Sequence, residues 1–372
     1  MMRSKKVISL VLISMFVLVI LAGCGTQQAP AEPEKAAEPA KTTEAAKTTE
    51  AAKTDEQPQK KQLVFGLAMD KLANPYWQAS LLAMEEQADK DGVKLIMQAA
   101  EGDANKQIQQ VENFISQKVD AVICVANDSK AIIASVKKCQ ATNTPFICLD
   151  RPLAPNNEGI KADFTAATDN FTMCKLGGEW LLDYANKNNT KLKMLVLEGS
   201  MTDQNVLDRD KGLRSVTDAN KDKTEIVQAI PTNWDPEKAL SGTVNAFQAH
   251  PDINCIVSFS DVLLPAIMSS LKQLNKYAKA GEKDHVVVVS IAGDTFALDN
   301  IKAGYVDMDM GMKTIDVGKR CIVIAQELAN GKKIDKIEER VDAFIIDKNN
   351  FEEMSQKAYG YYVVGKKIKL MQ

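Results

Sequence analysis

Asp150 and Arg151 stand side by side where an apolar run, Phe146-Ile147-Cys148-Leu149, gives out against Pro152. A carboxylate only accepts and a guanidinium only donates, in fixed geometry, so a strand ending this way delivers one of each to the edge of a site. Each also keeps the other from being a lone desolvated charge. A second set follows the apolar run Leu63 to Met69: Asp70, then Asn74, Tyr76 and Trp77. Asn74 is placed to cap a helix with Pro75 at its first position, which sets two aromatic rings in the first turn. Small-molecule clefts combine rings that stack on C–H surfaces with a few fixed polar groups. The ordinary alternative is a polar loop with aromatics packed beneath it.

Both sets sit at the ends of expected strands. Continuous apolar runs, as in strands buried on both faces, lie at 63–69, 93–98, 121–126 and 145–149, separated by helical spacing at 75–90, 104–117 and 128–141. The pattern repeats with strands at 193–198, 225–230, 254–259 and 286–291 and helices at 205–219, 235–248, 261–276 and 295–302. A long helix at 169–187 joins the two halves. The α/β alternation predicts two doubly wound lobes. YVDMDMG at 305–311 and VDAFIID at 341–347 read as strands flanking a helix at 314–329, material exchanged between lobes at a multi-strand hinge. Ligands collect at the carboxyl ends of strands in such sheets, so the interlobe cleft is the expected site.

The chain opens with Arg3, Lys5 and Lys6 before an uncharged apolar run from Val7 to Gly23, the pattern of a secretory signal. Its end, Leu21-Ala22-Gly23-Cys24, resembles the lipobox of bacterial lipoproteins, which implies that Cys24 is diacylated and becomes the mature N-terminus. The alternative is an uncleaved membrane anchor. Residues 24–61 are an Ala, Pro, Glu, Lys and Thr tether with KTTEAA twice over, too poor in apolar surface to order itself. The remaining 62–372 is long enough for two cores. A net charge of −3 with both signs interspersed leaves no footprint for nucleic acid. The six cysteines beyond Cys24 lie singly in apolar patterns and read as small buried hydrophobes.

FGLAMDKLANPYWQASL, FICLDRPL and the helix start Thr168-Asp169-Asn170 together resemble the periplasmic sugar-binding proteins of the ribose, galactose and xylose ABC importers, over about 62–350. The resemblance implies two Rossmann-like lobes joined by a three-strand hinge, with crossings near 167–169, 311–313 and 341–343. It implies an N-lobe of 62–168 plus 313–341 and a C-lobe of 169–312 plus 342–372. It also implies capture of a monosaccharide and delivery to a membrane permease. Carried over, Asp70 and Asn74 hydrogen-bond ring hydroxyls, Tyr76 and Trp77 stack on the ring, and Asp150 and Arg151 clamp hydroxyls. In the C-lobe, Trp234 falls where ribose binders stack a Phe, and Ser260 replaces an Asn. Leu207, Ala292 and Met312 stand where the family carries a ligand Arg, Asp and Gln. A ligand other than ribose follows, a deoxysugar or cyclic polyol with an apolar edge, with Gln204, Asn205 and Asp294 as candidate replacements. The segment 351–372 lies beyond the resemblance.

Other function classes have little to stand on. The two histidines, His250 at a helix end and His285 in a loop, belong to no evident triad or metal set, and no phosphate-cradling glycine motif follows a strand, so an enzyme is not expected. No alternating Asp/Asn loop for calcium is present, and no cofactor is implied. The expectation is an extracytoplasmic, lipid-anchored monomer whose partners are a sugar or polyol, ABC permease subunits and the membrane. The alternative is a sensor presenting the same ligand to a membrane kinase or chemoreceptor.

Overall fold

Two six-stranded sheets carry the chain. In the computed structural model, which describes residues 61–371, the first sheet has the order β11-β5-β4-β3-β1-β2 and the second β12-β10-β9-β8-β6-β7. The first contains β1 (Val64–Met69), β2 (Lys94–Ala99), β3 (Ala121–Cys124), β4 (Phe146–Leu149), β5 (Phe164–Thr168) and β11 (Glu338–Val341), all parallel. The second contains β6 (Leu192–Glu198), β7 (Thr224–Pro231), β8 (Cys255–Ser258), β9 (Val287–Ala292), β10 (Met308–Gly311) and β12 (Phe344–Asp347), parallel except for β12 against β10. The fold is α/β, two doubly wound lobes, and both sheets lie in the compact unit Lys60–Gln372. The signal run, Cys24 and the tether up to residue 60 lie outside the described residues.

Helices α1 (Pro75–Asp91), α2 (Ala104–Ser116), α3 (Ile133–Ala141) and α9 (Thr314–Ala329) cover the first sheet, and α4 (Asn170–Lys187), α5 (Gln204–Thr217), α6 (Pro236–Ala249), α7 (Leu264–Gln273) and α8 (Thr295–Ala303) the second. Most begin on a short acid or amide whose oxygen takes up a free backbone N–H of the first turn: Asn74, Asp103, Asp169, Asp203, Asp235 and Asp294. Each such cap is worth roughly 0.5–2 kcal/mol and fixes where its helix starts, and so where the preceding loop faces. The buried faces of β1, β3, β4, β6, β8 and β9 fill the cores with Leu, Ile, Val and Phe, and all six cysteines of the described residues are buried and unpaired.

The chain crosses between lobes after β5, between β10 and α9, and between β11 and β12, at 168–170, 311–314 and 341–344. Helix α3 starts later than the apolar spacing predicts, because Ser129 uses its backbone elsewhere. Its N–H donates to Thr202 O at 3.1 Å and its carbonyl accepts from Ala154 N at 2.9 Å. The C-terminal segment also departs from its expected place wholly within the C-lobe. β12 and the short helix α10 (Phe351–Met354) do lie there, but after α11 (Tyr359–Tyr362) the chain bonds to α1 of the other lobe.

Candidate functional site

The loop ends of β1 and β4 face those of β6, β8 and β9 across a narrow cavity of about 30 Å³. Its N-lobe wall is Asn74, Tyr76, Trp77, Asp150 and Arg151, and its C-lobe and hinge wall includes Asp203, Asn205, Arg209, Trp234, Ser260 and Met312, with Ile291 and Ala292 closing one edge.

Asp150 reaches this place through strained backbone. Its φ is +65°, in the left-handed region that short acids tolerate better than most side chains. The turn lets Asp150 N donate to Ala166 O at 2.7 Å and aims the carboxylate inward. There Oδ1 accepts from Tyr76 Oη at 2.8 Å and Oδ2 from Asn205 Nδ2 at 3.1 Å. Burial raises the Asp150 carboxyl above its ordinary pKa, against the nearby charge of Arg209, and burial with the Asp150 charge pushes the Tyr76 phenol well up.

Arg151 is 4% exposed and held on three sides. Nη1 donates to Asp70 Oδ2 at 2.9 Å and to Ala126 O at 2.8 Å, and Nε lies 2.8 Å from Asp203 Oδ2 in the other lobe. Burial alone would weaken its charge; the carboxylates of Asp203 and Asp70 hold its pKa well above the usual value. Its guanidinium also lies over the Trp77 ring, 5.2 Å from the centroid, and Tyr76 meets Trp77 edge-on at 4.7 Å.

Across the cleft, Trp234 stands at φ +60°, an uncommon conformation for a bulky residue and one that marks a constrained position. Its ring lies on Gly199, where an added Cβ would fall 2.0 Å from the indole. Arg209 faces that ring at 5.8 Å, its Nε bonded to Asn170 Oδ1 at 2.7 Å and Nη1 to Phe259 O at 2.6 Å. Its Nη2 meets only the Met312 sulfur, at 3.7 Å. Ser260 lines the cavity and caps the 3₁₀ turn Asp261–Leu263.

Eight of the eleven residues singled out from sequence thus share one cavity, and three do not. Asp70 sits one layer behind: its Oδ2 is taken by Arg151 and its Oδ1 accepts from Asn127 Nδ2 at 2.8 Å, so it holds the guanidinium and does not face the cavity. Gln204, first residue of α5, turns outward to Asp208 at 2.9 Å. Asp294 caps α8 through Ala297 N at 2.7 Å and lies beside Asp261, whose Oδ2 accepts from Gly293 N and Asp294 N. Asp203 and Arg209 were not singled out. Neither carries a local signal, since their partners lie about forty to fifty residues away in sequence. Among the described residues no group of acids, histidines and cysteines is placed to hold a metal ion, and no helix is long and apolar enough to cross a membrane.

Known proteins share this architecture. Relatives include the ribose import binding protein RbsB of Bacillus subtilis (strain 168), 27% identical over 74% of this chain and 85% of that one. The D-apiose import binding protein of Actinobacillus succinogenes is 23% identical over 76% and 87%. A solved ABC transporter solute-binding protein from Actinobacillus succinogenes 130z with bound D-allose superposes with a TM-score of 0.70 at 26% identity, covering 79% of this chain and 99% of that chain. One from Bacillus halodurans C-125 with bound myo-inositol shares the fold with a TM-score of 0.71 at 21% identity, covering 80% and 98%. The family model of the periplasmic binding protein domain matches residues 65–333, and the chain belongs to that family.

Proposed function

We propose that the protein is the solute-binding component of an ABC importer and takes one neutral monosaccharide or cyclic polyol into the cavity between its lobes. The observation that carries this is the composition of the two walls: a buried carboxylate and guanidinium from one lobe opposite an amide, a hydroxyl and a second guanidinium from the other, with Trp77 and Trp234 among them. The names of its relatives, which import ribose and apiose, support the class. With the lobes together the cavity leaves only about 30 Å³ free, so a single ring enters as the lobes part.

Charge argues for a neutral ligand. Arg151 is flanked by the carboxylates of Asp70 and Asp203, and the charge of Arg209 already acts on the Asp150 carboxyl, so an added buried anion would lack a partner, and an unpaired buried charge is costly. Groups remain for hydroxyls: Asn205 Oδ1 and Trp234 Nε1 are buried with no protein partner. Along the edge formed by Ile291, Ala292 and Met312 the wall offers no oxygen or nitrogen side chain, which favours a deoxysugar or cyclic polyol presenting C–H groups there.

The ligand docks on the N-lobe face, and Asn205, Trp234 and Ser260 close over it. It favours closure only through contacts that the two lobes make together. The closed form is what a permease recognises. The family works outside the cytoplasm; the Leu-Ala-Gly-Cys sequence supports a lipid anchor at Cys24. Labelling of the wild-type chain by a fatty acid, lost on Cys24→Ser, tests the anchor. A thermal-shift panel of pentoses, hexoses, deoxysugars and cyclic polyols tests the ligand class, since binding to the native state raises apparent stability.

A further inference from the structure

The C-terminal segment lies beyond the residues matched by the family model, and it runs from one lobe to the other. It begins in the C-lobe, where β12 pairs with β10 and Phe351 packs into the core. It stays anchored there at the turn after β9. Gly360 N donates to Gly293 O at 3.0 Å and Thr295 Oγ1 donates to Gly360 O at 2.8 Å. The fit is close enough to require glycine, because a Cβ at residue 360 would sit 2.5 Å from Thr295 N.

Two residues later the chain is fastened to the N-lobe. Tyr362 Oη bonds to Glu86 of α1, and Lys366 Nζ donates to the same carboxylate at 3.0 Å while lying 3.4 Å from the centre of the Tyr362 ring. Lys319 of α9 lies on that ring as well, at 5.6 Å. Glu85, only 6% exposed, accepts from Lys369 N at 2.9 Å and from Leu370 N, and Lys369 Nζ pairs with Asp89. Between the two anchorages and the cavity stands Tyr359. It is 2% exposed and meets Tyr76 edge-on at 5.8 Å, so it backs the residue whose hydroxyl holds Asp150 in the cavity.

We propose that residues 358–370 form an interlobe strap, a fourth crossing of the chain that restrains opening of the cleft from behind the cavity. Two residues span at most about 7 Å, so α1 cannot draw away from the β9–α8 turn without releasing either the Gly360 or the Tyr362 anchorage. Contacts made only when the lobes are together bias the hinge toward closure before any ligand arrives. The proposal rests on the hinge-closing reading above but not on the identity of the ligand.

The test therefore uses no sugar. Spin labels are placed at Lys130→Cys and Lys238→Cys, exposed positions on the N-lobe and C-lobe, in the compact unit 61–372, whose own six cysteines are buried. Interlobe distances are then measured by pulsed electron resonance in three backgrounds: unaltered, ended after Gly360, and carrying Glu85→Gln with Glu86→Gln. Release of the strap is expected to move the distribution to distances several ångströms longer, or to broaden it that way, in both altered proteins. If the truncated chain fails to fold, the double substitution, which leaves the chain whole, decides between the same two outcomes. Distributions that superimpose on the unaltered protein overturn the proposal.

Discussion

The guanidinium of Arg151, carried by the N-lobe, lies 2.8 Å from the carboxylate of Asp203, carried by the C-lobe. Both side chains are almost wholly buried, so the lobes meet through a charged hydrogen bond beside the cavity. Asp203 serves two ends at once, since its Oδ1 caps α5 through Asn205 N at 3.0 Å while Oδ2 meets Arg151. Asp203→Asn keeps the shape and the cap and removes the charge. A charge-assisted bond is roughly twice as strong as a neutral one, so sugar affinity is expected to fall about tenfold with little change in melting temperature. Calorimetry giving unchanged affinity would remove this pair from the closing step.

Gly199 and Trp234 are a second coupled pair. Gly199→Ala puts a methyl where the indole ring now lies, so the ring must leave the cavity wall. The expected results are a shifted tryptophan emission spectrum in the free protein and at least about a tenfold loss of affinity, the order of 1.4 kcal/mol. Native affinity in this variant would show that Trp234 does not stack on the ligand.

Met312→Gln tests the apolar edge. The new amide stands next to Arg209 Nη2, which now faces only sulfur, so the substitution has a partner within the protein. For a ligand with C–H groups at that edge it desolvates an amide against carbon, and binding is expected to weaken by about 1–3 kcal/mol. A ligand with a hydroxyl there should gain instead. Equal effects on the deoxy and hydroxylated members of a sugar pair would contradict the assignment of that edge.

Acidity tests the C-lobe interior. Burial pushes the carboxyls of Asp294 and Asp309 up to about 7, helped at Asp294 by the charge of Asp261. His285 donates from one ring nitrogen to Ala278 O and from the other to Asp307, which needs both protons; burial pulls its pKa down, but Asp307 more than offsets this and the net shift is upward. For all three the folded chain holds its proton more tightly than the unfolded one. The stabilisation from His285 is whole below about pH 6.5 and lost as pH rises through the folded value; that from the two acids is lost between about pH 4 and 7. Melting temperature is therefore expected to fall from pH 5 to 8, and Asp309→Asn to flatten the profile. A melting temperature that rises over that range, unaffected by the substitution, would contradict it.

The strands that sequence made plain are those buried on both faces, such as VFGLAM and VVVSIA, because continuous apolar runs leave no other reading. FTAAT at β5 and EERV at β11 gave no such signal: one is small and polar by turns, and the other lies at a sheet edge with its charged side chains in solvent. The N-lobe half of the site was legible because Asn74, Tyr76 and Trp77 ride on a capped helix, and Asp150 and Arg151 end a strand. The opposite half was only partly so. Asp203, Asn205 and Arg209 acquire their meaning from Arg151, Asp150 and Asn170, partners that folding alone brings near. Asp70 is the converse case, a polar residue at the right strand end that bonds to Arg151 and Asn127 and does not line the cavity.

Titration calorimetry of the strongest sugar from the thermal-shift panel against the unaltered protein and Arg151→Ala tests the central claim most directly. The account predicts one-to-one binding to the former. It predicts a loss of roughly 1.5–3 kcal/mol, about 10- to 150-fold, in the latter, the range for hydrogen bonds to a charged group. Equal affinity in the two proteins, or a panel in which no sugar or polyol binds, would contradict it.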